Sequence, residues 1–414
     1  MEIIPFHHPF IGKEEEEAAL RVLRSGWLTT GKEALAFEKE FRTFLSIKDS
    51  SFSKKKSEEN GDSTQSDLFC LAVNSATSGL HLALEALGIG PEDAVLLPSY
   101  TFTATAEVVR YLGAEAVFID IAEDSYNMGP AELEKTIARL INDSANNTGG
   151  TTTNGKLNPK AIITVHIGGL PCDMAAINSI AAQYGLAVVE DAAHAFPTRT
   201  SEGQWAGCCG DIGVFSFYAT KTITTGEGGM IVTSRKEAAD RMSIMRSHGI
   251  DRSVWNRYTD TNASWYYEVV APGYKYNLSD LLAAVGRVQL SRAMDLLSMR
   301  EKIAERYDKA FADQPAMIIS PPGGARHLYT VRLRDPEKRD AFIESLQKEG
   351  IGTSVHFIPL HIMPYYRDRY NLKPEDFPHS YQRYKETVSL PIWPGMTDAQ
   401  TDRVIEAVKK AICC

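Results

Sequence analysis

The chain of 414 residues is long enough for a sizeable core and for two or three units of ordinary domain size. Its net charge of −9 leaves no broad basic surface for a polyanion, so no nucleic-acid partner is expected. No apolar run reaches the roughly 18 residues that span a bilayer, and MEIIPFHHPF lacks the basic-then-apolar layout of a signal peptide, so a cytoplasmic protein without a membrane partner is expected.

In chain order, EEEEAALRVLR (Glu14 to Arg24) reads as a helix with acids in its first turn, GWLTTG breaks it, and a second helix runs from about Glu33 to Phe44. A polar insertion at about 50–67 follows. LFCLAV then reads as a strand, and NSATSGLHLALEALGIG as a helix starting near Ala76. The pattern repeats as strand DAVLLP, helix Ala104 to Tyr111, strand AVFIDI and a helix around Pro130 to Ile141. After a second polar insertion at about 142–159 come strand AIITVH, helix Asp173 to Tyr184, and strand AVVE ending on Asp191. Such alternation predicts an α/β fold with a mainly parallel sheet covered by helices on both faces.

Strand DIGVFSF, TTGEGG and strand MIVT come next, with Lys221 between two apolar runs expected to be buried. A helix from Lys236 to Arg246 leads to the aromatic-rich SVWNRYTDTNASWYYEVVAPGYKYN and a long helical pattern, one helix or more, from Leu278 to Phe311. The rest reads as strand HLYTVRL, helix Pro336 to Lys348, strand TSVHF, a loop HIMPYYR and a final helix Asp398 to Ile412. Residues 1–290 are thus expected to form a large unit, and 291–414 a linking helix and a smaller α+β unit.

Two stretches nearly match a nucleotide-hydrolase phosphate loop, one with Gly26, Gly31 and Lys32, the other with Gly150, Gly155 and Lys156. Each lacks the final Ser or Thr, having Glu33 or Leu157 there, so the motif fails. The six cysteines, Cys70, Cys172, Cys208, Cys209, Cys413 and Cys414, form no C-x-x-C pair, which argues against a metal site and for reduced thiols.

Ligands of open α/β sheets bind beyond the carboxyl ends of the strands, which brings Thr77, Phe102, His166 and Asp191 toward one crevice. Ser75, Thr77 and Ser78 at a helix start suit a phosphate, although ordinary capping uses the same residues. A strand-end acid, a histidine three residues on, a lysine thirty residues after the acid, a hydroxyl-rich helix start and an aromatic together match what pyridoxal phosphate requires.

The motifs VVEDAAHA, GVFSFYATKTITTGEGGM, NSATSGLHLAL, SYTFTATAEVVRYLGAEAVFIDI, GWLTTG, PGYKYNLSDLLAAVGRVQL and SVHFIPLHIMPYYR resemble those of the DegT/DnrJ-type nucleotide-sugar aminotransferases, fold-type-I pyridoxal phosphate enzymes. The resemblance implies that Lys221 is the cofactor lysine and general acid/base, and that Asp191 partners the pyridinium nitrogen. It places His194 beside the phenolic oxygen and Phe102 on the ring, with Tyr100 as the alternative one pleat away. Ala76, Thr77 and Ser216 would hold the phosphate, and Asn277 would reach it from the other subunit of a homodimer. Many members read GYNYR where this chain has GYKYN, so Lys275 and Asn277 stand in for other residues.

The implied reaction moves an amino group from L-glutamate to a 4-keto sugar carried on UDP or dTDP. GYKYNLSD resembles the branch that makes 4-amino-4-deoxy-arabinose on UDP, and SVHFIPLH the makers of 4-amino-4,6-dideoxy-hexoses. A 3-keto sugar aminotransferase, a keto-sugar 3-dehydrase and a non-catalytic sensor of the same fold are the alternatives; a dehydrase of this kind has histidine in place of Lys221. Trp27, Thr29, Tyr218, His356 and His361 are candidates to touch sugar or nucleotide, against ordinary packing or surface roles.

Overall fold

The computed structural model describes residues 2–47, 68–145, 157–251 and 266–412. Most of both polar insertions, the stretch 252–265 with the start of the aromatic-rich segment, nearly all of the second phosphate-loop near-match, and Cys413 and Cys414 lie outside these residues.

Helices α1 (Lys13–Ser25) and α2 (Lys32–Leu45) precede strand β1 (Phe69–Val73). Then follow α3 (Ala76–Ala86), β2 (Asp93–Pro98), α4 (Ala104–Tyr111), β3 (Glu115–Ile119), α5 (Pro130–Ala145), β4 (Asn158–Val165), α6 (Met174–Tyr184), β5 (Ala187–Asp191), β6 (Ile212–Ser216), β7 (Gly229–Thr233) and α7 (Lys236–Met245). The strands form one sheet in the order β1-β7-β6-β5-β4-β2-β3. Strand β7 runs antiparallel to both neighbours, while β2, β3, β4, β5 and β6 pair in parallel. Because β7 is reversed, its first residue lies at the same edge as the last residues of β1 and β6.

Strand side chains alternate between faces, and the core divides accordingly. Leu71, Val73, Val95, Leu97, Val189, Ile212, Val214 and Ile231 pack under α3, α4 and α7. Cys70, Ala72, Phe215, Met230 and Val232 meet α2, and Leu96, Ile162 and Val188 meet α5 and α6. Burial on both faces explains the unbroken apolar runs in the sequence. Helix α3 lies close enough to the sheet that a Cβ on Gly79 would come within 2.7 Å of Val214 Cγ1.

The long helical pattern is two helices, α8 (Asp280–Ser291) and α9 (Ala293–Phe311), broken where Arg292 takes φ −109° and ψ 7°. Beyond them are β8 (Met317–Ile319), β9 (Tyr329–Leu333), α10 (Arg339–Lys348), α11 (Pro364–Tyr370), α12 (Pro378–Glu386), β10 (Thr387–Leu390) and α13 (Asp398–Ile412). A second sheet has the order β10-β9-β8. Its core of Tyr307, Tyr329, Val331, Leu346, Val388 and Val404 also takes in Ile4 from the start of the chain.

Two local expectations give way here. TSVHF is not a strand: only Ser354 bridges to Ser389, and β10 takes the place beside β9. HIMPYYR holds α11, which starts on Pro364, a residue whose fixed φ suits a first helical turn.

Candidate active site

Strand β5 delivers Asp191 to the carboxyl edge, buried and held by two donors. Thr105 Oγ1 donates to Oδ2 at 2.9 Å, and the Ala193 N–H to Oδ1 at 3.2 Å. Thr105 is itself within 2.9 Å of Thr101 Oγ1. Each carboxylate oxygen has two lone pairs, so the group can take a further cationic donor. Burial raises the Asp191 carboxyl above its ordinary range, opposed by those hydrogen bonds and by Lys221. It therefore gains from a partnered positive charge.

One strand over, Ser216 closes β6 and pairs with Gly229, which pairs with Val73 on the far side. A Cβ on Gly229 would fall 2.9 Å from Ala76 N and 2.8 Å from Phe215 O. Only glycine lets the strand come this near the start of α3. Ser75 caps that helix by accepting from Ser78 N at 3.1 Å, which leaves the first-turn N–H groups of Ala76 and Thr77 without partners inside the helix. Two N–H groups, the helix dipole and the nearby Ser216 hydroxyl make an anion cradle.

Lys221 sits on the turn between β6 and β7. The hydroxyl-rich sequence stitches this turn to itself: Thr224 Oγ1 donates to Phe217 O at 3.0 Å and accepts from Gly226 N at 2.8 Å, and Thr225 Oγ1 donates to Glu227 O at 2.6 Å. Outside the turn, Gln289 Oε1 accepts from Thr224 N at 3.2 Å, and His7 Nε2 reaches Ala219 O at 2.9 Å. Burial lowers the Lys221 ammonium to about 8, with Asp191 opposing the shift and Arg300 adding to it. At pH 7.5 about a quarter of such amines are neutral, against about one in a thousand for an ordinary lysine.

His194 accepts from Gly168 N at 3.2 Å through Nδ1. Burial, with Lys221 and His356 nearby, holds it neutral, well below the ordinary histidine range. With Nδ1 an acceptor, the proton rests on Nε2, and the ring is a donor there. Its faces are set by His327, 4.2 Å between centroids, and by Phe357, stacked at 5.7 Å. Phe102 is 59% exposed with its ring 6.0 Å from Phe357, whereas Tyr100 is fully buried and donates to His356 O at 2.7 Å. Of the two, Phe102 has a face to offer a ligand.

His166 does not join this group. Neighbouring strand residues point to opposite faces, and His166 Nε2 lies 2.9 Å from Glu190 Oε2, while its Nδ1 accepts from Cys172 N at 3.0 Å. Glu190 also accepts from the N–H groups of Gly207, Cys209 and Gly210 at 2.8, 2.5 and 2.6 Å, which ties down the GCCG turn.

The substrate candidates divide. Tyr218 is 46% exposed, Thr29 is exposed, and Trp27 donates from Nε1 to Thr30 O at 3.4 Å. His356 lies within 2.9 Å of Ser389 Oγ and packs its ring 5.3 Å from Phe6. His361 is fully buried, stacked on Phe377 and 2.5 Å from Ser99 Oγ, a packing position. Asn277 bridges to Val73 and donates from Nδ2 to Thr30 Oγ1 of its own chain. GWLTTG is no nucleotide loop: the Asp280 carboxylate already accepts from the N–H groups of Gly31, Glu33 and Ala34 at 2.7, 3.2 and 3.0 Å. Among the described residues no group of three or more His, Cys, Asp or Glu could hold a metal ion.

An anion cradle, a buried acid and a partly neutral lysine on one edge fit pyridoxal phosphate: phosphate, ring nitrogen and aldehyde each have a counterpart. The model of the DegT/DnrJ/EryC1/StrS aminotransferase family matches residues 9–51 and 58–409. The chain belongs to this family. The spore coat polysaccharide biosynthesis protein SpsC of Bacillus subtilis is 42% identical over 99% of this chain and 97% of its own length. The PLP-form of Spr1654 from Streptococcus pneumoniae superposes with a TM-score of 0.82 at 28% identity, covering 99% of both chains. Helicobacter pylori PseC, an aminotransferase involved in the biosynthesis of pseudoaminic acid, does so at 0.82 and 26%, again over 99% of both. The protein is thus a sugar aminotransferase that uses pyridoxal phosphate, built on the mixed α/β fold of these enzymes. No described helix is long and apolar enough to cross a membrane.

Sequence reasoning missed Thr105, Gly229, His7, His327 and Phe357. Thr105, Gly229 and Phe357 fall inside quoted motifs and carried a signal; His7 and His327 reach the site only through tertiary packing.

Proposed function

We propose that the protein transfers the amino group of L-glutamate to a 4-keto sugar carried on UDP or dTDP, giving a 4-amino sugar and 2-oxoglutarate. The observation that carries the reading is the convergence of Lys221, Asp191, Ser216 and the α3 start on one sheet edge. The choice of a 4-keto nucleotide sugar rests on GYKYNLSD and SVHFIPLH. SpsC, named for spore coat polysaccharide biosynthesis, supports a product bound for a surface glycan.

Bound pyridoxal phosphate supplies an aldehyde carbon that joins amines and a ring that takes up an electron pair. Ala76 and Thr77 N–H and the Ser216 hydroxyl would hold its phosphate, with Phe102 beside the ring. Asp191 would keep the ring nitrogen protonated, since a carboxylate beside a pyridinium raises its pKa. His194, with its proton on Nε2, would donate to the phenolic oxygen. Lys221 would carry the proton off and onto the substrate carbon, a task suited to a group titrating near 8. Residues 1–290 would bind the cofactor and 291–414 would close over the sugar.

Asn277 completes the phosphate site of a second copy, so the working unit is a homodimer. In support, Leu20 and Leu23 on α1, Leu28 in the connection after it and Leu35 on α2 are 44 to 50% exposed, apolar surface that a like surface could cover.

UDP-, dTDP- and GDP-linked keto sugars incubated with glutamate and scored by product mass would test the substrate class, with NMR distinguishing C3 from C4 amination. Lys221→Ala should lose both turnover and the cofactor's visible absorption band; retained turnover would sink the assignment.

A further inference from the structure

Residues 4–10 run as a strap from the core of the second sheet to the turn that carries Lys221. At one end Ile4 is fully buried in that core, its N–H donating to Gly350 O at 2.9 Å and its carbonyl accepting from Gly352 N at 2.8 Å. Phe6 packs its ring 5.3 Å from that of His356. His7, half-buried, then reaches Ala219 O at 2.9 Å, two residues before Lys221. A carbonyl only accepts, so Nε2 carries the proton and the ring is the donor. Burial, with Arg300 adding to it, lowers His7 to about 4, so near neutral pH the ring is uncharged and holds this one tautomer. At the far end of the strap the buried Gln289 donates from Nε2 to Phe10 O at 2.9 Å, while its Oε1 accepts from Thr224 N at 3.2 Å, three residues after Lys221. The strap thus meets the lysine turn on both sides of Lys221, directly through His7 and by way of Gln289.

We propose that His7 is a positioning residue for Lys221: its Nε2–H pins the Ala219 carbonyl and so fixes the turn from which the amine meets the cofactor's aldehyde. The inference rests on Lys221 being the reactive amine. Inside the turn the Lys221 N–H donates to Tyr218 O at 2.9 Å, so a displacement of residues 218 and 219 carries the lysine backbone with it. The hydroxyl stitches of Thr224 and Thr225 lie after Lys221 and brace that side; before it, His7 ties the turn to the rest of the chain. Alignment of this kind governs rate steeply, since a misplacement of about 1 Å can cost about 100-fold.

The test uses the full-length apoprotein and two probes. Pyridoxal phosphate reports the amine, through the rate at which the visible band grows as Lys221 Nζ bonds to the aldehyde carbon and the aldehyde oxygen leaves as water. Pyridoxine 5′-phosphate, an alcohol at the same carbon, reports the phosphate and ring contacts alone, through its Kd by calorimetry. His7→Leu should slow the band by about tenfold or more and leave the pyridoxine phosphate Kd within about twofold of wild type. His7→Gln, whose amide can donate in place of Nε2–H, should bring the rate back to within about threefold. Band growth at the wild-type rate in a folded His7→Leu overturns the proposal. Equal weakening of both probes, the mark of a loosened fold, or a His7→Gln as slow as His7→Leu, overturns it as well. If His7→Leu does not fold, His7→Ala gives the same comparison, and loss of folding in both assigns His7 to the frame of the fold and overturns the positioning role. A band that survives in Lys221→Ala sinks the parent reading; a band lost there but formed at full rate in His7→Leu sinks this inference alone.

Discussion

Gly229→Ala puts the cradle to a direct test. The added methyl would meet Phe215 O at 2.8 Å and Ala76 N and Ser75 C at 2.9 Å, all backbone, where ordinary contact begins near 3.4 Å. No rotamer change relieves it, so the start of α3 and the end of β6 must separate by about half an ångström, the gap between those values. Overpacking of this kind costs about 1–3 kcal/mol, a fall in melting temperature of roughly 1–4 °C for a chain of this length. The same shift carries the Ala76 and Thr77 N–H groups away from Ser216. A hydrogen bond to a charged group contributes about 1.5–3 kcal/mol, so cofactor affinity should fall by about tenfold or more. Thermal melting of the apoprotein and a cofactor titration followed at the visible band read the two effects. Gly185→Ala is the control: Gly185 ends α6 at φ +67° with nothing within 4 Å of its Cβ, so it should lose about 1 kcal/mol of stability and no cofactor affinity. If Gly229→Ala binds cofactor within twofold of wild type, the close approach of β7 to α3 does not form the cradle.

Mixing Lys221→Ala and Asn277→Ala proteins should restore about a quarter of wild-type activity after subunit exchange, because half the dimers are mixed and one site in each is intact; no restoration places Asn277 at the site of its own chain. Glu190→Gln should cost about 3 kcal/mol or more in urea unfolding, since an amide NH2 must face N–H donors the carboxylate now accepts; an unchanged midpoint would remove Glu190 from the frame of the GCCG turn. His361 is held at about 4 by burial, below its ordinary 6.5, so between these values the unfolded chain binds a proton that the folded chain refuses, and stability falls as pH drops from 6.5 toward 4. His361→Phe should flatten that slope by about 1.4 kcal/mol per pH unit, read by urea unfolding at pH 4.5 to 6; an unaltered slope refutes the assignment.

What the sequence made legible is the part built from neighbours along the chain. Asp191 ends its own strand, Ser216 ends the next and Lys221 follows five residues later, so a parallel sheet brings them to one edge without any knowledge of side-chain packing. His166 ends a strand too, and strand-end logic gathered it in with Asp191. Its ring instead satisfies Glu190, the residue of β5 that points to the other face, a distinction that needs the pleat as well as the edge. TSVHF alternates like a strand, yet its aromatics serve the site: Phe357 stacks on His194 and His356 packs on Phe6. Tertiary demand overrides local propensity there. Arg300 was the least visible, because in SMREKIAERYDK it looks like one more solvated charge on an amphipathic helix; only the fold shows that it is fully buried among the carbonyls of Arg326, His327 and Ile392. Asn277 is the remaining case. A single chain gives its Nδ2 a partner in Thr30 and leaves its Oδ1 buried without one among the described residues. A lost hydrogen bond of that sort costs about 1–3 kcal/mol, so the segment that carries Asn277 is held in a state that gains from one more donor, a demand set by tertiary packing that GYKYN does not display in the sequence.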